Sequence, residues 1–80
     1  NNGNIQEAIA FFKRNIDLNP TSANAFDSMA DAYEEAGMWD DALKSSERAV
    51  ELANKYGDPG LSNFIKHSNR IKEKYKPIEK

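Results

Sequence analysis

Sliding the chain 34 positions along itself lays residues 1–20 over residues 35–54, and no other feature constrains the fold as tightly. Gly3/Gly37, Ala8/Ala42, Arg14/Arg48 and Leu18/Leu52 are identical in this register, while Ile5/Trp39, Glu7/Asp41, Ile9/Leu43, Ile16/Val50 and Asp17/Glu51 keep their character. The matches fall at helix-spaced intervals. A period of this size marks a supersecondary unit repeated in series, each copy covering an apolar face that the next one leaves bare.

Between the two copies lies a segment with its own punctuation. Asn19-Pro20 stops the preceding helix, and Thr21-Ser22 offers a hydroxyl N-cap, so a helix is expected from Ala23. Its small or apolar positions Phe26, Met29, Ala30, Tyr33 and Ala36 step by three and four, and Gly37 supplies the left-handed residue that closes it. Asp40 or Asp41 is expected to cap the next helix, which turns Ala42, Leu43, Ala49, Val50, Leu52 and Ala53 inward and ends at Gly57. The two helices make a hairpin. Beyond it, Asp58-Pro59 reads as a further helix start, with Leu61, Phe64, Ile65, Ser68, Ile71 and Tyr75 along one stripe.

The run Phe26-x2-Met29-Ala30-x2-Tyr33 is similar to the W-x2-L-G-x2-Y pattern of the tetratricopeptide family, and Ala8-x3-Phe12 with Pro20 resembles the second half of a preceding repeat. The pattern has a physical basis in which a small residue such as Ala8, Ala30 or Ala42 lets helix axes approach and a large one such as Phe12 or Tyr33 fills the adjoining gap. Phe26, Met29, Trp39 and Ala49 complete the expected repeat contacts. Ser46 stands where the family has an aromatic and Asn54 where it has proline. The resemblance implies an all-α, antiparallel helical-hairpin array of about four helices. Residues 1–20 are the second helix of an incomplete repeat, 21–57 a complete hairpin, 58–76 a C-terminal capping helix with a solvated outer face, and 77–80 a tail.

Eighty residues are enough for one small domain that buries about 60–65% of its unfolded surface. The absence of cysteine excludes disulfides and thiolate metal ligands, and the apolar runs are far shorter than the roughly 20 residues needed to span a bilayer. The start at Asn1, with neither methionine nor a signal-peptide core, suggests a piece of a longer protein, and the compartment is left open. Charge is regional. Residues 1–60 carry 5 bases and 11 acids, whereas residues 61–80 carry 6 bases and 2 acids.

A catalytic reading fails on inventory, and no catalytic residue, metal site or cofactor is expected. His67 is the one histidine, and with Lys66, Asn69 and Arg70 around it the wet side of the capping helix is its expected place. Asp40-Asp41 reads as a helix N-terminus, because adjacent helical residues point apart. Gly57-Asp58-Pro59-Gly60 lacks the lysine and threonine of a phosphate loop and reads as a turn.

Binding is the expected role, through Asn24, Asp27, Ser28, Asp31 and Glu34, which share one side of a helix that lines the concave face in a hairpin array. Members of the family that clamp chaperone carboxylate tails use lysine, arginine and asparagine on that face; Asp27 and Asp31 have the opposite sign, so a basic or polar peptide or protein surface is the expected partner. One alternative is a structural tail of a larger enzyme, docked on its own upstream domain, because residues 19–28 resemble the repeat tails that follow the catalytic domains of some bacterial serine hydrolases. Another is self-association through the Ile5, Ala8, Ile9, Phe12 and Ile16 face of the first helix, with Phe11 beside it. The basic run Lys66, Arg70, Lys72, Lys74, Lys76 and Lys80 makes nucleic acid the weakest alternative, and no membrane contact is expected.

Overall fold

Helix ends in this chain are set by local hydrogen bonds that its turn residues are built to make. A computed structural model describes the backbone of residues 2–75 and the side chains of residues 4–75. The described residues form four helices and no strand: α1 (Asn2–Leu18), α2 (Ala23–Glu35), α3 (Trp39–Tyr56) and α4 (Leu61–Lys74). The expected tail, 77–80, and the last residue of the expected capping segment lie outside the described residues. Ser22 caps α2, its Oγ accepting from the Ala25 N–H at 3.2 Å. At the other end the Met38 N–H returns to the Tyr33 carbonyl at 2.9 Å and the Gly37 N–H to that of Glu34 at 3.0 Å, with Gly37 at φ +76°. This is a Schellman closure, which needs a left-handed residue at that point. Gly57, at φ +67°, closes α3 in the same manner, and the Asp58 N–H bonds back to the Ala53 carbonyl at 2.9 Å.

Two expected helix starts are corrected. Neither Asp40 nor Asp41 is the cap of α3; the cap position is Met38, which makes no side-chain bond, and both aspartates lie within the first turn. The closure of α2 leaves no room for a longer connection, so α3 begins at once and its acids act on the helix dipole instead. Asp58-Pro59 likewise does not open α4. The Asp58 carboxylate accepts from the Gly60 N–H at 2.8 Å, a local turn that competes with helix and delays the start to Leu61.

Each helix packs against its neighbour in sequence, the α2–α3 hairpin most extensively and α1 with α2 least. The array is 17 Å across its thinnest dimension, which corresponds to two helix layers at the usual ~8–10 Å axial spacing. Ala30, Ala42, Ala49 and Ala53 are wholly inaccessible to solvent, and side chains this small let packed backbones approach closely. Around them sit three apolar clusters. Ile9 of α1 meets Met29 and Ala32 of α2, flanked by Ile5, Ala8, Phe12, Ile16 and Tyr33. Ala23, Ala49, Leu52, Ala53 and Phe64 join the start of α2 to the end of α3 and the start of α4, with Phe26 alongside. Ala30, Ala42 and Ile71 join the other ends of those helices, covered by Tyr33, Trp39 and Leu43.

Ser46 is buried, and its hydroxyl donates to the Leu43 carbonyl of its own helix at 2.9 Å, so a polar side chain fits there at no unsatisfied cost. Ile65 falls off the α4 stripe and is exposed. Phe11 and Phe12 meet edge to face at 5.5 Å between centroids, and 60% of the Phe11 surface stays in solvent.

Replacing Ile71 with alanine is expected to cost about 2–5 kcal/mol, because the cavity would open where three helices meet. Gly37→Ala is expected to cost only ~1–2 kcal/mol, the price of a left-handed non-glycine residue, since an added Cβ meets nothing within 4 Å. Urea denaturation that ranks the two the other way would contradict this account.

Candidate functional site

Spacing by four and three puts Asp27, Asp31 and Glu34 one above another on α2, and bare carboxylates so close would repel. The fold answers with two bases from α4. His67 Nδ1 lies 2.5 Å from Asp27 Oδ1, and its Nε2 lies 3.0 Å from Asp31 Oδ1 and 3.3 Å from Glu34 Oε1. The Arg70 guanidinium straddles Glu34, with Nη1 3.0 Å from Oε2 and Nη2 3.1 Å from Oε1, the two-armed geometry that binds carboxylate best. Side-chain exposure is 11% for His67 and 12% for Glu34, against 64% for Asp31, so the cluster is sealed on one side and open to solvent at Asp31.

The expected wet-side place of His67 is therefore corrected. His67 lies three residues after Phe64 and four before Ile71, both buried, which places it at the edge of the buried stripe of α4 and not opposite to it. That spacing was a usable signal; the identity of the facing residues, 33 to 40 positions away, was not. Of the five residues expected on the binding face, Asp27, Asp31 and Glu34 meet at His67. Asn24 is exposed and stands outside the cluster, and Ser28 is half-buried in the wall of an adjoining cleft.

The charges shape one another. Burial works against a charged His67, but its hydrogen bonds to Asp27 and Glu34 and the field of Asp31 prevail, and its pKa is raised above the ordinary 6.5. Burial would lift Glu34, yet the Arg70 and His67 hydrogen bonds outweigh it and hold the carboxyl below the ordinary 4.5. For Asp31 burial prevails, aided by the neighbouring acids, and its carboxyl is raised above 3.8. Arg70 is raised chiefly by its hydrogen bond to Glu34.

The adjoining cleft, of about 610 Å3, runs between α1 and α2 to the start of α3 and the end of α4. Ala8, Phe12, Ala32 and Trp39 give it apolar walls, Asp31, Glu34 and Glu35 an acidic rim, and Lys74 stands over the Trp39 ring at 5.5 Å. Met29, Ala30, Ala42 and Ala49 are buried in the core, and Phe26 and Tyr33 are half-buried. Among the described residues, Asp31, Glu34 and His67 each offer an atom able to ligate a metal, all within 4.8 Å of one another. No helix among them is long and apolar enough to cross a membrane. Comparison with protein-family models, with curated proteins and with solved structures finds no match for the chain.

The linkage sign follows from the pKa directions. A raised His67 pKa stabilises the folded chain fully below 6.5, and that contribution disappears as pH rises through the folded value. A depressed Glu34 pKa contributes above 4.5 and is lost as pH falls through the folded value, while the raised Asp31 opposes it on that side. In chelator-treated buffer, stability to urea is expected to fall as pH rises above 6.5, and His67→Gln to remove that fall. An equal slope in the parent and the variant would assign the pH dependence elsewhere.

Proposed function

We propose that this chain is a non-catalytic interaction module of tetratricopeptide type, which takes a peptide or protein segment carrying an apolar side chain flanked by lysine or arginine. The observation that carries this reading is the cleft beside the acidic face of α2, where apolar walls from Ala8, Phe12, Ala32 and Trp39 meet the exposed carboxylates Asp31 and Glu35. Apolar anchors in such a groove supply most of the binding energy, and rim charges set the preference among partners. Two of the five residues expected to bind, Asp27 and Glu34, are already held by His67 and Arg70. Recognition is thereby shifted toward α1, onto Ser28, Asp31 and Glu35. The cluster in which Tyr33 and Trp39 pack against the small residues Ala30 and Ala42 supports the family reading, as does the 34-residue register.

The face expected to self-associate, Ile5, Ala8, Ile9, Phe12 and Ile16, packs against α2, so the second reading, self-association, rests instead on the outer side of α1. Phe11 and Leu18 are seven residues apart on one helix face and are 60% and 72% exposed. This reading expects a concentration-dependent dimer in sedimentation that Phe11→Ser dissociates; a monomer at every concentration would remove it.

Trp39, the single tryptophan, lies in the cleft wall and reports occupancy directly. Peptides with a central leucine or phenylalanine between lysines are expected to shift its fluorescence saturably, and their glutamate-flanked counterparts to fail. Glu35→Lys should weaken the basic peptides at least ~5-fold, the effect of about 1 kcal/mol from a rim charge. Equal affinity for both peptide sets, or indifference to Glu35→Lys, would dismiss the cleft as the binding site.

A further inference from the structure

We propose that Asp31, Glu34 and His67 form a binding site for a divalent transition-metal ion of the zinc class, which fastens α4 to α2. The site goes beyond the peptide-binding reading; it shares Asp31 with the rim of the cleft but does not need a peptide to be bound.

The distances suit such an ion. A zinc ion with ~2.0–2.1 Å bonds in a tetrahedron keeps its ligand atoms roughly 3.3–3.4 Å apart. His67 Nε2 is 3.0 Å from Asp31 Oδ1 and 3.3 Å from Glu34 Oε1, so an ion enters with shifts of a few tenths of an ångström at most along these edges. All three ligand atoms lie within 4.8 Å of one another, so the Asp31–Glu34 edge closes by at most about 1.4 Å around an ion, leaving the fourth corner for water or a partner group.

The orientation of the imidazole suits it too. Asp27 accepts from Nδ1, the outer-shell carboxylate that fixes ring and tautomer in histidine metal sites. In the metal-free chain a proton on Nε2 bridges to the two carboxylate oxygens; with Nδ1 alone protonated, the Nε2 lone pair faces both oxygens and a metal ion can take that proton's place. One nitrogen with two carboxylate oxygens is a donor set for zinc and its first-row neighbours, whereas magnesium favours an all-oxygen octahedron.

Charge and access favour a cation as well. Three acids face two bases, and although Arg70 grips both oxygens of Glu34, Oε1 has a second lone pair that can turn to the ion. Asp31, which is 64% exposed, gives the path from solvent, and its freedom lets it close over an ion that has entered.

Chelator-treated protein titrated with ZnCl2 in magnesium-containing buffer at neutral pH is the test. One equivalent is expected to bind, raise the melting temperature and move the Nε2 resonance of the lone imidazole while Nδ1 stays protonated. Asp27→Asn, which removes only the orienting carboxylate, should weaken zinc roughly 10–100-fold. Asp31→Asn, at an exposed position that leaves the helices intact by circular dichroism, and His67→Gln should weaken it further. The proposal is overturned by an absence of saturable zinc binding, by a shift at Nδ1 in place of Nε2, or by an affinity that Asp31→Asn leaves unchanged. Because no peptide is present, these outcomes are read apart from those of the cleft.

Discussion

Close approach of backbones at alanine is the constraint on which this small array rests. Ala30, Ala42, Ala49 and Ala53 expose nothing to solvent, and each stands where a larger residue would push two helices apart. A chain of eighty residues has little apolar surface to spare, so stability depends on bringing helices near enough for the few large side chains to interlock. Ile71 is the clearest case. It fills the gap beside Ala30 and Ala42, and in doing so it sets α4 against the same side of α3 that α2 occupies.

The polar cluster follows from that placement. Once Ile71 and Phe64 are buried, His67 between them can only face α2, and the three carboxylates there become its surroundings. Isolated ion pairs at a surface contribute little, but here His67 and Glu34 are nearly closed off and share partners, so removal of one leaves another without its counter-charge. The cluster therefore specifies how α4 sits on α2 more than it adds to the total stability. Arg70, half in solvent, supplies the second base at the outer edge, where a two-armed contact keeps its geometry without full burial.

Much of the architecture was legible because repetition and turn chemistry agree. The 34-residue register, the Ser22 cap and the left-handed glycines at 37 and 57 all point to the hairpins the chain forms. The misplaced starts of α3 and α4 have one cause: an aspartate near a helix N-terminus serves as a cap, as a first-turn charge or as a turn-former, and the choice is made by neighbouring backbone that composition does not reveal. The acidic face was readable from the spacing of Asp27, Asp31 and Glu34. Its cationic half was not, because pairing across 33 to 40 residues belongs to tertiary structure, and a histidine among polar neighbours looks solvated until the opposite helix is known.

The uneven attachment of α1 carries a consequence for motion. Among the described residues this helix rests chiefly on α2, through an apolar contact, while α2, α3 and α4 are tied by two shared clusters and a polar network. Opening free energies should then form a gradient along the chain, with α1 exchanging its amide hydrogens through an excursion that leaves the other three helices folded. Because Ala8 and Phe12 make one wall of the cleft, each such excursion widens the site, and a ligand gripping that wall would slow exchange throughout α1 without touching most of its residues.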